Sequence, residues 1–188
     1  NLELVSAQNE GGVPLLEILD RTVTPMGSRQ LRKWMILPLK EREAVEERLR
    51  VVQAFFDDTE LAEKISDSLR QIADLERLIS KVAVGRINPR ELLQLKRSLL
   101  AAQPIKSLLQ SNASQDLHKL GAQLDRCEFL LEKVEKELQD DPPMQVNQGG
   151  VIKDGVDAEL DELRQIAFSG KDYLLQNQKR EIERTGIS

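Results

Sequence analysis

Residues 15–39 read LLEILDRTVTPMGSRQLRKWMILPL and carry more local structural information than any other part of this chain. Thr24 precedes Pro25, and a threonine hydroxyl can accept a hydrogen bond from an otherwise unpaired amide of the first helical turn. Proline suits the first helical position because it has no amide to leave unpaired and its φ angle is already helical. Pro38 disfavours helical geometry in the residue before it. The sequence therefore predicts a helix that begins at Pro25 and ends before Pro38.

One face of this predicted helix is apolar. Leu31, Trp34 and Met35 are spaced three and four residues apart, which places them on the same side of a helix. Leu37 or Pro38 would close the next turn of that side. We therefore expect the apolar side to be buried under another part of the protein.

The same stretch supplies the residues of a predicted structural hub. Gly27 costs about 1 kcal/mol relative to alanine in a helix interior, which suggests a close approach of another backbone. Arg29 is expected either to form an ion pair with Asp20 in the preceding loop or to be solvated on the helix surface. We call the following set the hub residues: Leu19, Asp20, Met26, Gly27, Arg29, Leu31, Trp34 and Leu37.

The composition favours an all-α protein. Hydrophobic residues make up 40% of the 188 positions and charged residues 31%, but aromatic residues only 3%. This mixture is typical of helices with leucine-rich seams and argues against a β-sandwich. The length is sufficient for one substantial domain with a good core.

The charge and the cysteine count limit the kinds of partner and compartment. The net charge of −5 argues against broad, salt-driven attraction to nucleic acid and leaves room only for a local basic patch. The single cysteine, Cys127, excludes an intrachain disulfide and suits a reducing compartment. No apolar run approaches the roughly 20 residues of a membrane span, and the N-terminus does not resemble a signal peptide. We therefore expect a cytoplasmic protein with no membrane partner.

Turn residues divide the chain into five predicted segments. Residues 1–12 lead into the domain, 13–110 form a helical core, 111–139 form one long heptad helix, 140–156 form a long Pro/Gly loop, and 157–188 form a final long helix. The loop is unusually long for a helical bundle, which indicates either a functional loop or a strap laid along the domain. The chain begins at Asn1 and ends directly after a strongly charged helix, so we expect it to be an excised piece.

Apolar stripes in the helical core predict which side chains face inward. Asn88 and Glu91 predict a capping box around Pro89, and Gly85 predicts the end of the helix before it. Pro104 is expected to kink or end the helix that begins at Pro89. The predicted inward stripes are Val45, Leu49, Val52 and Phe56; Leu61, Ile65 and Leu69; Leu75, Ile79 and Val82; and Leu92, Leu95 and Leu99.

Apolar residues recur at spacings of three and four between residues 117 and 138. The repeat predicts a helix of about 25 residues, about 38 Å long, with a seam that needs a long partner helix. That partner can lie in the same chain or in another subunit. The seam residues are Leu117, Leu120, Leu124, Cys127, Leu131, Val134 and Leu138.

The sequence predicts no catalytic, cofactor-binding or metal-binding residues. His118 falls beside the seam and is expected to be solvated, and Cys127 in the seam is expected to act as a small hydrophobe with a protonated thiol. Asp157, Asp161 and Glu162 share one helical turn and could bind a metal ion. The helix dipole favours acidic residues at a helix N-terminus in any case, so a structural role is the alternative.

The final helix carries the best candidates for contacts with nucleic acid. Lys179, Arg180 and Arg184 are candidates for weak DNA phosphate contacts at its far end. Glu181 and Glu183 dilute the positive charge, so a solvated face is the alternative interpretation.

Three blocks of this chain, in the same order, resemble the core and lever domain of the MutS family of DNA mismatch-repair proteins. The first block runs from Leu19 to Leu39 with the pattern Leu-Asp-x-Thr-x-Thr-x-Met-Gly-x-Arg-x-Leu-x-x-Trp-x-x-x-Pro-Leu. The second covers residues 74–78 and 85–92, and the third covers residues 142–143 and 149–163. The family usually has an aromatic residue where this chain has Val156.

The resemblance implies an all-α fold, a multi-helix bundle hub with long projecting lever helices, that ends just before a DNA-gripping clamp. It implies a parent protein that recognises mismatched double-stranded DNA, acts with a second subunit and with other mismatch-repair proteins, and hydrolyses ATP. ATP and Mg would bind in a separate ATPase domain, so we expect no cofactor and no enzymatic activity in this fragment. Its expected task is to couple the ATPase to the clamp, which requires a packed element that both sites can shift.

A second interpretation belongs to a different functional class. The chain would be a helical adaptor that dimerises through the 117–138 heptad seam and has no role in repair. This interpretation depends on a continuous seam helix whose partner lies in another subunit.

Overall fold

A computed structural model describes residues 3–185 of the chain, so residues 1–2 of the predicted N-terminal segment and 186–188 of the predicted final helix lie outside the described part. The helices are α1 (Leu15–Leu19), α2 (Pro25–Ile36), α3 (Arg42–Asp57), α4 (Thr59–Arg70), α5 (Leu75–Ala83), α6 (Pro89–Ser111), α7 (Gln115–Ala122), α8 (Glu128–Glu137) and α9 (Ala158–Thr185). The β pairing seen between residues 3 and 185 is one isolated antiparallel bridge, which joins Leu138 to Ile152. The predicted all-α fold is confirmed.

The predicted helix caps form as expected. The Thr24 hydroxyl accepts a hydrogen bond from the Gly27 amide at 3.0 Å, and α2 ends one residue before Leu37. The capping box at the start of α6 is present, since the Asn88 side chain accepts from the Glu91 amide and the Glu91 carboxylate accepts from the Asn88 amide. Gly85, two residues beyond the end of α5, has the left-handed φ of +64° that favours glycine. Local capping chemistry therefore sets where these helices begin and end.

Helix α6 is the centre of the bundle because α4, α5, α7 and α8 all pack against it. Leu117 of α7 is completely shielded from solvent. Full burial of a leucine or isoleucine side chain contributes about 1.5–3 kcal/mol, so this cluster dominates the stability of the bundle. The main cluster consists of Leu61 and Ile65 from α4, Ile105 and Leu109 from α6, and Leu117.

A second cluster joins α6 to α8 and to the long loop. Leu93 packs with Val134 and Leu138, and Val151 of the loop covers them. The loop returns beside the end of α8, where the Gln139 amide donates to the Val151 carbonyl at 2.9 Å. We call residues 140–156 the strap, because the segment is attached to the bundle near both of its ends, through the Pro142 carbonyl and through Ile152.

The predicted heptad helix over 111–139 is wrong. The chain forms two shorter helices, α7 and α8, separated by a turn in which Cys127 has a left-handed φ of 52°. The turn is held because Gln103 donates to the Arg126 carbonyl at 2.7 Å and Lys106 donates to the Leu124 carbonyl. Both donors belong to α6. The partner of the seam is therefore α6 of the same chain, and the basis of the dimerising adaptor is removed.

The predicted buried faces are only partly correct. In α4 the predicted Leu61 and Ile65 are buried, but in α5 Leu78 is buried and the predicted Ile79 and Val82 are exposed. The predicted stripe of α3, Val45, Leu49, Val52 and Phe56, is also exposed, and α3 packs on the core through Val51, Ala54 and Phe55. Each error arises because the helix carries apolar side chains over a wider face than its neighbouring helices cover.

The hub residues do not form the core of the bundle. Trp34 is 42% exposed and Leu37 is 66% exposed, and Leu19 is also exposed, whereas Met26 and Leu31 are half-buried. The guanidinium carbon of Arg48 lies 3.9 Å from the centroid of the Trp34 ring, so a cation covers one ring face instead of apolar side chains. Of the three residues of the predicted α2 face, Leu31 and Met35 are half-buried and Trp34 is exposed, so within the described chain this face is buried only in part.

Pro104 does not end α6. The helix continues to Ser111, and Ile105 and Leu109 beyond the proline are buried in the main cluster. The burial of these two side chains outweighs the loss of one backbone hydrogen bond at Pro104, so the helix continues past the proline.

Helix α9 confirms the predicted long final helix. Its 28 residues span about 42 Å at 1.5 Å per residue. Beyond Arg164 every described side chain of α9 is exposed. No helix within residues 3–185 has the combination of length and apolar character needed to cross a membrane.

Substitution of Gly121 by alanine should destabilise the protein because α7 crosses α6 closely at this residue. A Cβ atom at Gly121 would lie 2.9 Å from the Leu109 Cβ and 3.3 Å from the Gln110 backbone nitrogen. Gly121→Ala should lower the free energy of unfolding by about 1–2 kcal/mol in urea titrations, because overpacking outweighs the gain in helix propensity.

The matched control is Gly170→Ala in the exposed part of α9. A Cβ at Gly170 would have no neighbour within 4 Å, so this change should be neutral or raise stability by up to about 1 kcal/mol. Equal effects of the two substitutions would contradict the close crossing of α6 and α7.

Candidate functional site

An ion-paired joint connects α2 to the start of α5. The Nη1 and Nη2 atoms of Arg29 donate to the two carboxylate oxygens of Asp74 at 2.9 and 2.7 Å, and Arg29 Nε donates to Glu76 at 2.7 Å. The planar guanidinium holds the Asp74 carboxylate at two points, which fixes direction as well as distance. The first and second family-like blocks are therefore in direct contact.

Asp74 has two roles in this joint. Its side chain also accepts a hydrogen bond from the Arg77 amide at 3.2 Å and so caps α5. The Arg29 guanidinium is the main cause that holds the pKa of the Asp74 carboxyl below its usual value, while burial opposes the shift. The same bonds raise the pKa of Arg29, which stays charged throughout the accessible pH range.

The predicted ion pair between Asp20 and Arg29 is wrong. One oxygen of Asp20 accepts from the Thr22 amide at 2.9 Å and from the Thr22 hydroxyl at 2.6 Å, and the other accepts from the Ser28 hydroxyl. These bonds, chiefly the one from Ser28, hold the pKa of Asp20 below its usual value. Asp20 is satisfied by Thr22 of its own loop and by Ser28 of α2, which leaves Arg29 free to reach α5.

Gly27 is packed against side chains of the same loop. A Cβ atom at Gly27 would lie 3.1 Å from the Thr24 Oγ1 and 3.2 Å from the Thr22 Cβ. The predicted close approach of another backbone is therefore wrong, because the near neighbours are threonine side chains. Together with Asp20 and Ser28, these residues fix how the chain enters α2.

The candidate DNA contacts lie on a different element from the hub residues. Lys179, Arg180 and Arg184 are exposed on the distal half of α9. Arg184 forms an ion pair with Glu181 at 2.8 Å on the same helix. Glu181 therefore partly neutralises the positive charge, as expected. The side chains of Lys179 and Arg180 are exposed to solvent.

The side chains considered for catalysis or metal binding lie in the following surroundings. His118 is exposed on α7, and burial raises the pKa of the half-buried Cys127 thiol. Asp157 accepts from the Leu160 amide at 2.9 Å, and Asp161 accepts from the Gly155 amide at 2.7 Å. Within residues 3–185, no group of three histidine, cysteine, aspartate or glutamate side chains is placed to hold a metal ion.

Sequence reasoning missed the partners of the key cations. The sequence assigns Asp74 and Glu76 no role beyond their place in the family-like block 74–78, and no pattern singles out Arg48 or Arg164. The one available signal was the pair of acids at the start of α5, but nothing local indicates that an arginine 45 residues earlier would reach them. The spacing of Asp161 and Arg164, three residues apart on a helix, predicts one of the contacts of Arg164.

Removal of the Arg29 guanidinium should raise the pKa of Asp74 toward 3.8, its ordinary value. A carboxyl with a lowered folded-state pKa adds stability above its unfolded pKa and loses that contribution as the pH falls through the folded pKa. In Arg29→Gln the free energy of unfolding should therefore depend less steeply on pH below about 4 than in the wild type. Carboxyl NMR titration and urea unfolding across this range measure both effects.

Arg42→Gln is the control for this prediction. Arg42 pairs only with Glu46, one turn along the same exposed helix, and is not in contact with Asp74. An unchanged Asp74 pKa in Arg29→Gln would show that the joint does not hold the carboxylate in solution.

Comparison with known proteins identifies the family. The profile of MutS domain III matches residues 1–185. The DNA mismatch repair protein MutS of Cytophaga hutchinsonii is 57% identical over 188 residues, and that of Bacteroides fragilis is 53% identical over 187 residues. The protein of the same name from Phocaeicola vulgatus is 54% identical over 187 residues.

Each of these alignments covers 100% of this chain but only 22% of the relative. The chain thus spans about a fifth of the length of the proteins that it matches. The profile match over residues 1–185 and the sequence identities of 53–57% lead to the same conclusion. This chain belongs to the MutS domain III family.

Proposed function

We propose that this chain is the core and lever domain of a DNA mismatch-repair protein and couples an ATPase to a DNA clamp. The observation that carries the proposal is the combination of family membership with the shape of α9. A packed bundle holds one end of a helix about 42 Å long, whose described side chains beyond Arg164 are all exposed. Such a helix converts a small rotation at its base into a larger displacement at its tip.

The joint between α2 and α5 supports a mechanical role. Arg29 contacts Asp74 and Glu76 through directional bonds, whereas Trp34 on the same helix is covered by Arg48 of α3. Together with the hydrogen bond from Ser28 to Asp20, these contacts hold α2 at three points through polar groups on a half-exposed surface. Polar contacts of this kind can exchange partners at low cost, which a packed apolar core cannot.

The remaining parts of the proposal concern the parent protein. Its activity would be recognition of mismatched double-stranded DNA and ATP hydrolysis with Mg, in the cytoplasm, with a second subunit and other mismatch-repair proteins as partners. This chain itself would bind no cofactor and catalyse no reaction. Lys179 and Arg180 would make weak contacts with DNA phosphates, with Arg184 partly neutralised by Glu181.

Trp34→Ala in the full-length protein tests the coupling. The change should slow ATP-driven release of mismatched DNA by about two- to fivefold, the equivalent of an exposed cation–π contact. ATP hydrolysis in the absence of DNA should change less. Stopped-flow release of labelled DNA and a phosphate-release assay measure the two rates.

Phe129→Ala is the matched control, because Phe129 is an exposed aromatic residue of α8 and its truncation should affect neither rate. Equal loss of DNA release and of DNA-independent hydrolysis in Trp34→Ala, with the fold intact by circular dichroism, would count against a coupling role.

The double variant Lys179→Gln with Arg180→Gln tests the DNA contacts. If both cations touch phosphates, the slope of log affinity against log salt should become shallower by about 1.8, or 0.9 per contact. Fluorescence anisotropy at several salt concentrations measures the slope. Arg32→Gln with Lys33→Gln, which removes two adjacent exposed cations from α2, should leave it unchanged. An unaltered slope in the α9 variant would exclude these phosphate contacts.

A further inference from the structure

One arginine attaches the base of α9 to the strap. Arg164 Nη1 donates to Asp154 at 2.7 Å and to Asp161 at 3.1 Å, and Arg164 Nη2 donates to the Ile152 carbonyl at 2.8 Å. Asp161 and Arg164 belong to the helix, whereas Ile152 and Asp154 belong to the strap. Two of the three hydrogen bonds therefore connect the helix to the strap, the third lies within α9, and the Arg164 side chain is 29% exposed.

The strap atoms that Arg164 contacts are themselves fixed to the bundle. Ile152 forms the antiparallel bridge with Leu138, and the amide of Lys153 donates to the Glu137 carbonyl at 2.8 Å. Val151 packs on the cluster that joins α6 and α8. A continuous series of contacts thus runs from the core through the strap to Arg164.

The helix side of the attachment is also constrained. The second carboxylate oxygen of Asp161 accepts from the Gly155 amide at 2.7 Å, and Asp157 caps the Leu160 amide at 2.9 Å. Gly155 has a φ of +80°, which turns the chain from the strap into α9. Arg164 and Asp161 lie on one side of the helix and attach its first turns to the strap through separate hydrogen bonds.

The chemistry of the attachment requires arginine. The two terminal nitrogens lie in one plane and point in fixed directions, so the Asp154 carboxylate and the Ile152 carbonyl of the strap fix the direction of the guanidinium, and Asp161 fixes the guanidinium to the helix. A lysine ammonium can approach the carboxylates but cannot also hold the carbonyl in that geometry. Beyond Arg164 the described side chains of α9 are exposed and provide no second support.

We propose that Arg164 is the positioning residue that sets the angle at which α9 leaves the bundle. The 21 residues of α9 beyond Arg164 extend about 32 Å, so a change of about 10° at the base moves the tip by about 6 Å. This proposal rests on the proposed function for its consequence, the transfer of movement along α9, but not for the geometry itself.

The test is a distance measurement by pulsed electron paramagnetic resonance in the full-length protein, without DNA or nucleotide. Spin labels are placed at Glu63→Cys on α4 and Gln178→Cys on α9, in a background whose native cysteines, Cys127 included, are replaced. Arg164→Met should broaden the distance distribution about twofold or more, because the first turns of α9 lose their directional support. Arg164→Lys should give an intermediate width.

Arg184→Met is the matched control. It removes the same cation from the same helix and breaks an arginine–acid pair of the same spacing, but that pair with Glu181 lies at the distal end. The width should remain that of the wild type, and an unchanged melting temperature in all variants excludes unfolding as the cause. A wild-type width in Arg164→Met overturns the proposal.

Asp154→Asn keeps the proposal testable if Arg164→Met does not fold. Asp154 is largely exposed, so its loss weakens the attachment without disturbing the helix, and a smaller broadening is expected. A wild-type width there, in the absence of folded Arg164→Met, also overturns the proposal. If Arg164→Met broadens the distribution but ATP-driven DNA release is unchanged, the positioning role stands and the coupling function fails.

Discussion

The close crossing of α6 and α7 is the constraint on which the bundle depends. Gly121 permits the two backbones to approach until Leu117 is completely enclosed between α4, α6 and α7. With Leu61, Ile65, Ile105 and Leu109 around it, this leucine forms the only layer in which three helices bury side chains together within the described residues. Helices α5 and α8 also attach to α6, α3 attaches to α4 and α7, α2 attaches to α1 and to the start of α5, and α9 attaches to the strap.

The apolar core stabilises the bundle, and ion pairs between helices fix the directions in which the helices pack. Pairs on half-exposed surfaces are worth little individually, so their value lies in geometry. They connect α2 to α5 through Arg29 and Asp74, α3 to α7 through Arg50 and Asp116, α5 to α6 through Lys81 and Glu91, and α6 to α8 through Lys96 and Glu135.

The parts of the structure that could be predicted are those encoded within a few neighbouring residues. The Thr24 cap and the Asn88 capping box depend on contacts three residues apart, and both are correct. The heptad helix failed because the same three–four spacing is compatible with a turn, and the turn is stabilised by Gln103 and Lys106 more than 15 residues away. The pairing of Arg29 with Asp74 could not be predicted for the same reason, because the two residues are 45 positions apart. Arg29 is available for this pair because Asp20 is already hydrogen-bonded to Thr22 and Ser28.

The strap has two fixed ends and an exposed middle. Pro142 is buried and its carbonyl accepts from Arg90 at 3.0 Å, and Ile152 is paired with Leu138 at the other end. Between them, residues 144–150 are exposed. Each doubling of a loop's length raises the free-energy cost of closing the loop by only about 0.6 kcal/mol. Insertions and deletions in this middle section can therefore be tolerated during evolution without tilting α9 or disturbing the cluster that Val151 covers.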